Sequence, residues 1–200
     1  RLFPNLHEER RVARVLIDIG LAYNLTGDPN AAIIALSEAL AFARADCNPR
    51  GVLLALEKKG ICHINAGQLS EAKACFQECR VLAEKEGELG YLPVALGGLS
   101  EVAMRRGNAE ESLALSEEAQ ATFAALGNTS GAALETLGVG AAKASLGRTD
   151  EALADLRDAL LWFAGDKERE RHERFTLETL VELGTALNND DGLRLLHAAH

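Results

Sequence analysis

The residues best suited to chemistry are three thiols and an imidazole in the first half of the chain. Cys75 and Cys79 are four residues apart, and Cys62 and His63 precede them. Two cysteines at i, i+4 on one helix, with a histidine on a neighbouring helix, could bind a soft metal such as zinc. The alternative is that the thiols are small buried apolar side chains, which is a common role of free cysteine.

Patterns typical of catalysis are weaker. The adjacent glycines Gly97 and Gly98 follow no predicted strand, so they do not form a phosphate-binding or dinucleotide-binding loop. We interpret them as allowing close packing or a kink within a helix. Glu110 and Glu117 each begin a pair of glutamates that is typical of an exposed helix face. The five histidines are scattered. The sequence therefore predicts a protein that is not an enzyme and that needs no cofactor or metal.

A repeat with a period of about 40 residues organises the chain and places these side chains. Small residues recur at four positions of each unit. They are Gly20, Gly27, Ala32 and Ala39; Gly60, Gly67, Ala72 and Cys79; Ser100, Gly107, Ser112 and Ala119; and Gly140, Gly147, Ala152 and Ala159. Cys79 takes a position that alanine holds in the other three units. This register favours a buried packing role for Cys79 over a role as a metal ligand.

Each unit is predicted to be a helical hairpin, because apolar residues recur at helical spacing on both sides of a central break. In the first unit these are Val12, Leu16, Ile19 and Tyr23, then Ile33, Leu36, Ala39 and Leu40. The first break holds Gly27, suited to a left-handed helix end, and Pro29, suited to a first helical turn. Ser70 and Asp150 are predicted helix N-caps. We expect Gly67→Leu to disrupt the second hairpin through steric overlap.

The pattern L-G-x2-Y-x3-G, then A-x3-F, then A resembles the tetratricopeptide repeat (TPR). In the first unit its positions hold Ile19, Gly20, Tyr23, Gly27, Ala32, Leu36 and Ala39. Ser100 and Ser112 depart from it, which predicts a slightly splayed third hairpin. The resemblance implies an all-α solenoid, a right-handed superhelix of TPR-like hairpins, in a single domain, 1–200. The predicted hairpins cover 7–46, 50–86, 90–126, 129–164 and an incomplete 167–200.

Composition narrows the function classes. The net charge of −9 argues against a nucleic-acid-binding surface, which is typically basic. No apolar run is long enough to cross a bilayer, and the N-terminal stretch lacks the apolar core of a signal peptide. Scattered cysteines without extracellular context favour reduced thiols, so we expect a cytoplasmic protein. A chain that begins with Arg1 is consistent with a domain of a longer protein.

The resemblance also implies a binding surface, since in TPR proteins the concave groove is lined mainly by the first helix of each hairpin. The corresponding positions here are Arg14, Asp18, Asn24, Glu57, Lys58, Asn65, Glu101, Arg105, Ser145, Arg174 and Glu178. They are mixed in charge, and asparagine can hydrogen-bond an extended peptide. The alternative for each residue is an ordinary solvated surface. The Lys and Asn set with which some TPR domains clamp a chaperone C-terminus is not reproduced.

Three functional hypotheses remain open. The repeat period, the Ala-Leu-Gly at 125–127 and the tail 177–200 resemble the C-terminal helical-repeat region of bacterial transcription regulators of the LuxR, MalT and AfsR type. This resemblance implies a sensor of a protein or small-molecule signal. The alternatives are a free-standing adaptor that binds a partner peptide and a sensory domain of a signalling enzyme. We expect a protein or peptide partner, no direct nucleic-acid or membrane contact, and a capacity to form homo-oligomers.

Overall fold

The structure is a computed structural model that describes residues 6–165. Within this range the chain forms eight α-helices and one 3-10 turn, Leu89–Tyr91. The helices are α1 (Leu6–Leu25), α2 (Pro29–Ala45), α3 (Pro49–Asn65), α4 (Leu69–Glu86), α5 (Leu92–Arg105), α6 (Ala109–Ala125), α7 (Thr129–Ser145) and α8 (Thr149–Gly165). None of these helices is both long and apolar enough to cross a membrane. The predicted fifth hairpin lies outside the described residues.

Every helix from α1 to α7 is followed by a single residue with left-handed backbone geometry. These residues recur at intervals of twenty, with φ between 47° and 85°: Gly27, Cys47, Gly67, Gly87, Gly107, Gly127 and Gly147. The helix ends close with a hydrogen bond that spans this residue, as in Asp28 N–H to the Tyr23 carbonyl at 2.9 Å. The chain thus reverses after each helix, and two such steps make one unit of the sequence repeat.

Side-chain caps follow several of these turns directly. Asp28, Asn48 and Asn128 each accept a hydrogen bond from the backbone N–H three residues on, at 2.9 to 3.1 Å. The predicted N-caps Ser70 and Asp150 are wrong, because α4 begins at Leu69 and α8 at Thr149. Both residues lie inside the first turn of their helix, two positions past the cap.

Cys47 is the one non-glycine residue among the seven left-handed turn residues. An L side chain in this conformation brings Cβ close to the following carbonyl oxygen, at a cost of about 1–2 kcal/mol. We therefore expect Cys47→Gly to raise the free energy of unfolding by about 1 kcal/mol, and Gly67→Ala to lower it by a similar amount. Urea unfolding monitored by circular dichroism measures both. Equal stabilities for Cys47→Gly and the parent would contradict the assignment of strain to this turn.

The predicted steric overlap in Gly67→Leu is wrong. A Cβ added at Gly67 meets no atom within 4 Å, and φ is +73°. Leucine is disfavoured there by backbone geometry instead, since β-carbons are strained in the left-handed region.

The chain divides into two compact units, residues 1–102 and residues 103–200. In the first unit, α1 packs on α2 and α3 on α4 where a glycine faces a large apolar side chain sixteen residues later. A Cβ at Gly20 would lie 2.7 Å from Leu36, and one at Gly60 would lie 2.7 Å from the Phe76 ring. Leu36 and Phe76 are almost completely buried. The predicted close crossing of paired helices at these glycines is confirmed.

The second unit repeats this contact between α7 and α8. A Cβ at Gly140 would lie 3.0 Å from Leu156, which is fully buried with Ala159 and Phe163. Gly98, in the first unit, also faces the Phe76 ring, which would lie 2.3 Å from a Cβ added at this glycine. The glycine pair Gly97-Gly98 therefore permits close packing, one of its two predicted roles.

The predicted apolar stripe of α1 is only partly buried. Val12, Ile19 and Tyr23 are 40%, 40% and 44% exposed, whereas Ala13 and Ile17 lie in the core. Within the described residues, no hairpin packs on the outer side of α1. The equivalent residues of α3, Val52 and His63, are buried, because α3 packs against α1 and α2 as well as against its own partner α4.

Pro93 explains where the third hairpin begins. Its ring fixes φ and lacks an N–H donor, so it suits the first turn of a helix. Accordingly α5 begins at Leu92, two residues after the predicted start, and Leu89–Tyr91 form a separate 3-10 turn.

Candidate functional site

The thiols that prompted the metal hypothesis are packing residues. Cys62, Cys75 and Cys79 are buried, and the Cys79 thiol points at the Leu53 carbonyl at 3.9 Å. His63 Nδ1 lies 2.6 Å from Gln68 Oε1, which occupies the nitrogen in a local hydrogen bond. Among residues 6–165, no three His, Cys, Asp or Glu side chains converge in a way that could hold a metal ion.

Burial also keeps these thiols protonated. It raises the pKa of Cys62 to about 11, against a smaller opposing effect of Lys58. It raises the pKa of Cys79 to about 12, and the nearby carboxylate of Glu57 adds to the shift. Because metals and electrophiles react with the thiolate, the raised pKa values disfavour both reactions at neutral pH.

The predicted binding residues include a direct contact between successive first helices. Asn65 Nδ2, at the end of α3, donates a 2.9 Å hydrogen bond to Asn24 Oδ1, near the end of α1. Each asparagine keeps a further hydrogen-bonding group, the Asn24 NH2 and the Asn65 carbonyl oxygen. The pair can therefore donate a hydrogen bond to a backbone carbonyl of a ligand and accept one from a backbone N–H.

The second unit has a contact of the same register. Ser145 Oγ, at the end of α7, lies 3.6 Å from Met104 Sδ, near the end of α5. In both units a residue of one first helix touches the residue forty-one positions away on the next first helix. The last turns of the first helices therefore lie side by side within each unit. We call these exposed turns the first-helix surface.

Two further pairs of predicted site residues are joined by ion pairs. Lys58 Nζ lies 2.5 Å from Glu57 Oε1, and both side chains are largely buried, at 25% and 14% exposure. Arg14 and Asp18 form an i, i+4 pair on α1, with Nε and Oδ1 3.5 Å apart, and are well exposed. Such an exposed pair contributes little to stability and is available to a ligand.

Two of the remaining predicted site residues lie one turn apart on α5, and two are not described. Glu101 and Arg105 are exposed on α5. Arg174 and Glu178 lie outside the described residues. The assignment of these positions to a binding site stays a prediction.

Comparison with known proteins identifies the architecture. The sequence profile described as "Tetratricopeptide repeat" matches residues 13–46, the α1–α2 hairpin. TPR-like repeats of a kinesin light chain-like protein from Podosopora anserina superimpose with a TM-score of 0.69 at 16% identity, over 96% of this chain and 94% of that one. The fold is that of tetratricopeptide repeats.

Two other solved structures share this fold. The apo form of RapI gives a TM-score of 0.77 at 10% identity, over 100% of this chain and 69% of that chain. BtubC (BKLC) from P. vanneervenii gives 0.63 at 13% identity, over 98% and 88%. No curated protein matches the sequence. The predicted fold class, an all-α TPR-like repeat solenoid, is confirmed.

A second type of surface, between the second helices of TPR hairpins, was not predicted. Cleft 1 lies between α2 and α4 over the start of α3, has a volume of about 350 Å³ and includes Arg44, Glu78 and Leu82. Cleft 2 lies between α6 and α8 over the start of α7 and has a volume of about 470 Å³. The two clefts occupy the same register, eighty residues apart. A comparison of residues at that interval would have revealed the pair.

Proposed function

We propose that the chain is a protein- or peptide-binding scaffold, and that its first-helix surface contacts the partner. The observation that supports this most is the Asn24–Asn65 hydrogen bond at 2.9 Å, which joins two successive first helices. Amide side chains at this place can hydrogen-bond the backbone of an extended segment without regard to its sequence. The exposed Arg14–Asp18 pair on α1 offers charges of both signs for its side chains.

A finer proposal assigns the chain to the signal-sensing region of a bacterial transcription regulator. The support is the sequence resemblance to the repeat regions of LuxR-, MalT- and AfsR-type regulators. A free-standing adaptor in the cytoplasm and a sensory domain of a signalling enzyme are the alternatives. A nucleotide-binding module or a helix-turn-helix in the complete reading frame would favour the regulator, and an isolated repeat domain would favour the adaptor.

Peptide selection tests the scaffold function. We expect a random 12-residue peptide library, displayed on phage and selected on the immobilised chain, to yield peptides that bind in solution. Replacing both Asn24 and Asn65 by alanine should weaken the selected peptides about tenfold, since two hydrogen bonds of about 0.5–1.5 kcal/mol each are removed. Isothermal titration calorimetry measures the affinities.

Asn30→Ala is the matched control, because Asn30 is an exposed asparagine on a second helix, α2. The Asn30→Ala variant should bind the selected peptides with the same affinity as the parent. Selected peptides that bind the Asn24/Asn65 double variant as tightly as the parent would contradict the proposed surface.

A further inference from the structure

Cleft 1 shows how this fold accommodates a guanidinium group between two second helices. Arg44 reaches from α2 across the cleft, and its Nη2 lies 2.5 Å from Oε1 of Glu78 on α4. Both side chains are about half exposed. Leu82, one turn further along α4, forms part of the same wall. The chain thus supplies its own arginine to pair with the carboxylate of this cleft.

Cleft 2 keeps the carboxylate and lacks the arginine. Asp158 takes the place of Glu78, and Ala124 takes the place of Arg44. Neither lysine nor arginine is present among the described residues that line cleft 2. The carboxylate of Asp158 pairs only loosely with Arg157 beside it on α8, at 3.5 Å, and remains 66% exposed. Cleft 2 is also the larger of the two.

A third substitution adds an aromatic wall. Trp162 replaces Leu82, and it lies one turn after Asp158, so both face the same side of α8. The buried ring of Phe163 packs edge-on against the indole, with ring centroids 5.1 Å apart, which holds its orientation. An indole face next to a carboxylate attracts a cation, and arginine is the cation that most often stacks on such rings.

The opposite wall supplies one further acceptor. Gln120 Nε2, on α6, donates a 2.7 Å hydrogen bond to Thr136 Oγ1, on α7. This bond orients the amide so that its carbonyl oxygen is left to accept from a ligand. A planar guanidinium has five N–H donors and can use the carboxylate, the amide oxygen and the indole together, whereas an ammonium group cannot stack.

We propose that cleft 2 binds an arginine side chain of a partner protein, in the place that Arg44 fills in cleft 1. This site lies between the second helices α6 and α8, over the start of α7, and does not depend on the first-helix surface. The net charge of −9 favours the approach of a basic segment.

The fluorescence of Trp162 reports on binding directly, because it is the only tryptophan of the chain. The probe is an acetylated, amidated pentapeptide with arginine between two pairs of alanines. We expect a saturable fluorescence change with this peptide and none with its citrulline counterpart, which has the same shape and no charge. The lysine peptide should bind at least about threefold more weakly, since it cannot stack in a plane.

Two variants locate the site. Ala124→Arg should abolish binding, because it places an internal guanidinium opposite Asp158 as in cleft 1, and circular dichroism checks that it folds. Asp158→Asn changes an exposed side chain without risk to folding and should weaken binding about tenfold. Asp150→Asn makes the same charge change on α8 outside the cleft and should leave affinity unchanged.

No saturable change with the arginine peptide would overturn the proposal. So would equal binding of the citrulline or lysine peptide, or unchanged affinity in Asp158→Asn. A loss of affinity in Asp150→Asn as large as in Asp158→Asn would also overturn it, because binding would then follow overall charge. Failure of the peptide selection on the first-helix surface has no bearing on these outcomes.

Discussion

Phe76→Ala is expected to lower the free energy of unfolding by about 3–5 kcal/mol, the range for truncating a fully buried aromatic ring. The ring is 1% exposed and packs against two glycines, which have no side chain to fill the space it would leave. A Cβ at Gly60 would be 2.7 Å from the ring, and one at Gly98 would be 2.3 Å from it. Urea unfolding followed by circular dichroism measures the loss.

The same contact can be tested from the glycine side. Gly98→Ala should cost about 1–3 kcal/mol by overpacking, and Phe76→Leu in that background should restore part of the loss. Phe42→Ala is the matched control, because Phe42 is 36% exposed on α2 and should cost far less. If Phe76→Ala and Phe42→Ala unfold at the same urea concentration, the prediction that the Phe76 ring contributes more to stability is wrong.

Stability should fall as pH rises from about 4.5 to about 7, owing to one carboxyl group between α6 and α7. Burial raises the pKa of Glu135 from 4.5 to about 7, although a hydrogen bond from Ser116 opposes the shift. In this window the folded state holds a proton that the unfolded state releases. The contribution of this group to the free energy of unfolding is complete below pH 4.5. It is lost as the pH rises to the folded-state pKa, and the loss is about 3 kcal/mol at 1.36 kcal/mol per pKa unit.

Glu135→Gln should remove this dependence, because the amide is neutral at every pH. We expect it to be more stable than the parent at pH 8 by about 1–3 kcal/mol, and to be similar at pH 4.5. Urea unfolding followed by Trp162 fluorescence reports on the unit that holds Glu135. Glu117→Gln, on the exposed face of α6, should keep the parent's pH profile. Parallel profiles for Glu135→Gln and the parent would contradict the raised pKa of Glu135.

The hairpins could be predicted from sequence because their contacts are local and repeated. A glycine and a large apolar residue sixteen positions apart, as in Gly20–Leu36 and Gly60–Phe76, determine each crossing of paired helices. Turn glycines such as Gly27 mark the helix ends to within about two residues. Both features depend only on residue type and spacing, so they can be predicted from the sequence.

Burial at the ends of the array could not be predicted in this way. Tyr23 has the pattern of a core residue and is 44% exposed, because burial at its position depends on a neighbouring hairpin. Gly67 is a glycine because its backbone is left-handed, whereas Gly60 is a glycine because the Phe76 ring leaves no space for a side chain. The sequence alone does not distinguish these two reasons.

The surface chemistry needed the structure for a different reason. The residues that line cleft 2 come from three helices. The proposed binding of an arginine there depends on position 124 being alanine, where cleft 1 has Arg44. Glu135 is a polar residue at a position where Ala55 and Ala95 are fully buried, so its raised pKa follows from packing. The Asn24–Asn65 contact matches predicted site residues, and their function as a binding surface stays a proposal.

Amide hydrogen exchange of the chain, with and without a saturating selected peptide, tests the proposed scaffold function most directly. The account predicts added protection in the last turns of α1 and α3, around Asn24 and Asn65, with little change in α2 and α4. Protection confined to the second helices, or no change in exchange at saturation, would contradict a binding surface formed by the first helices.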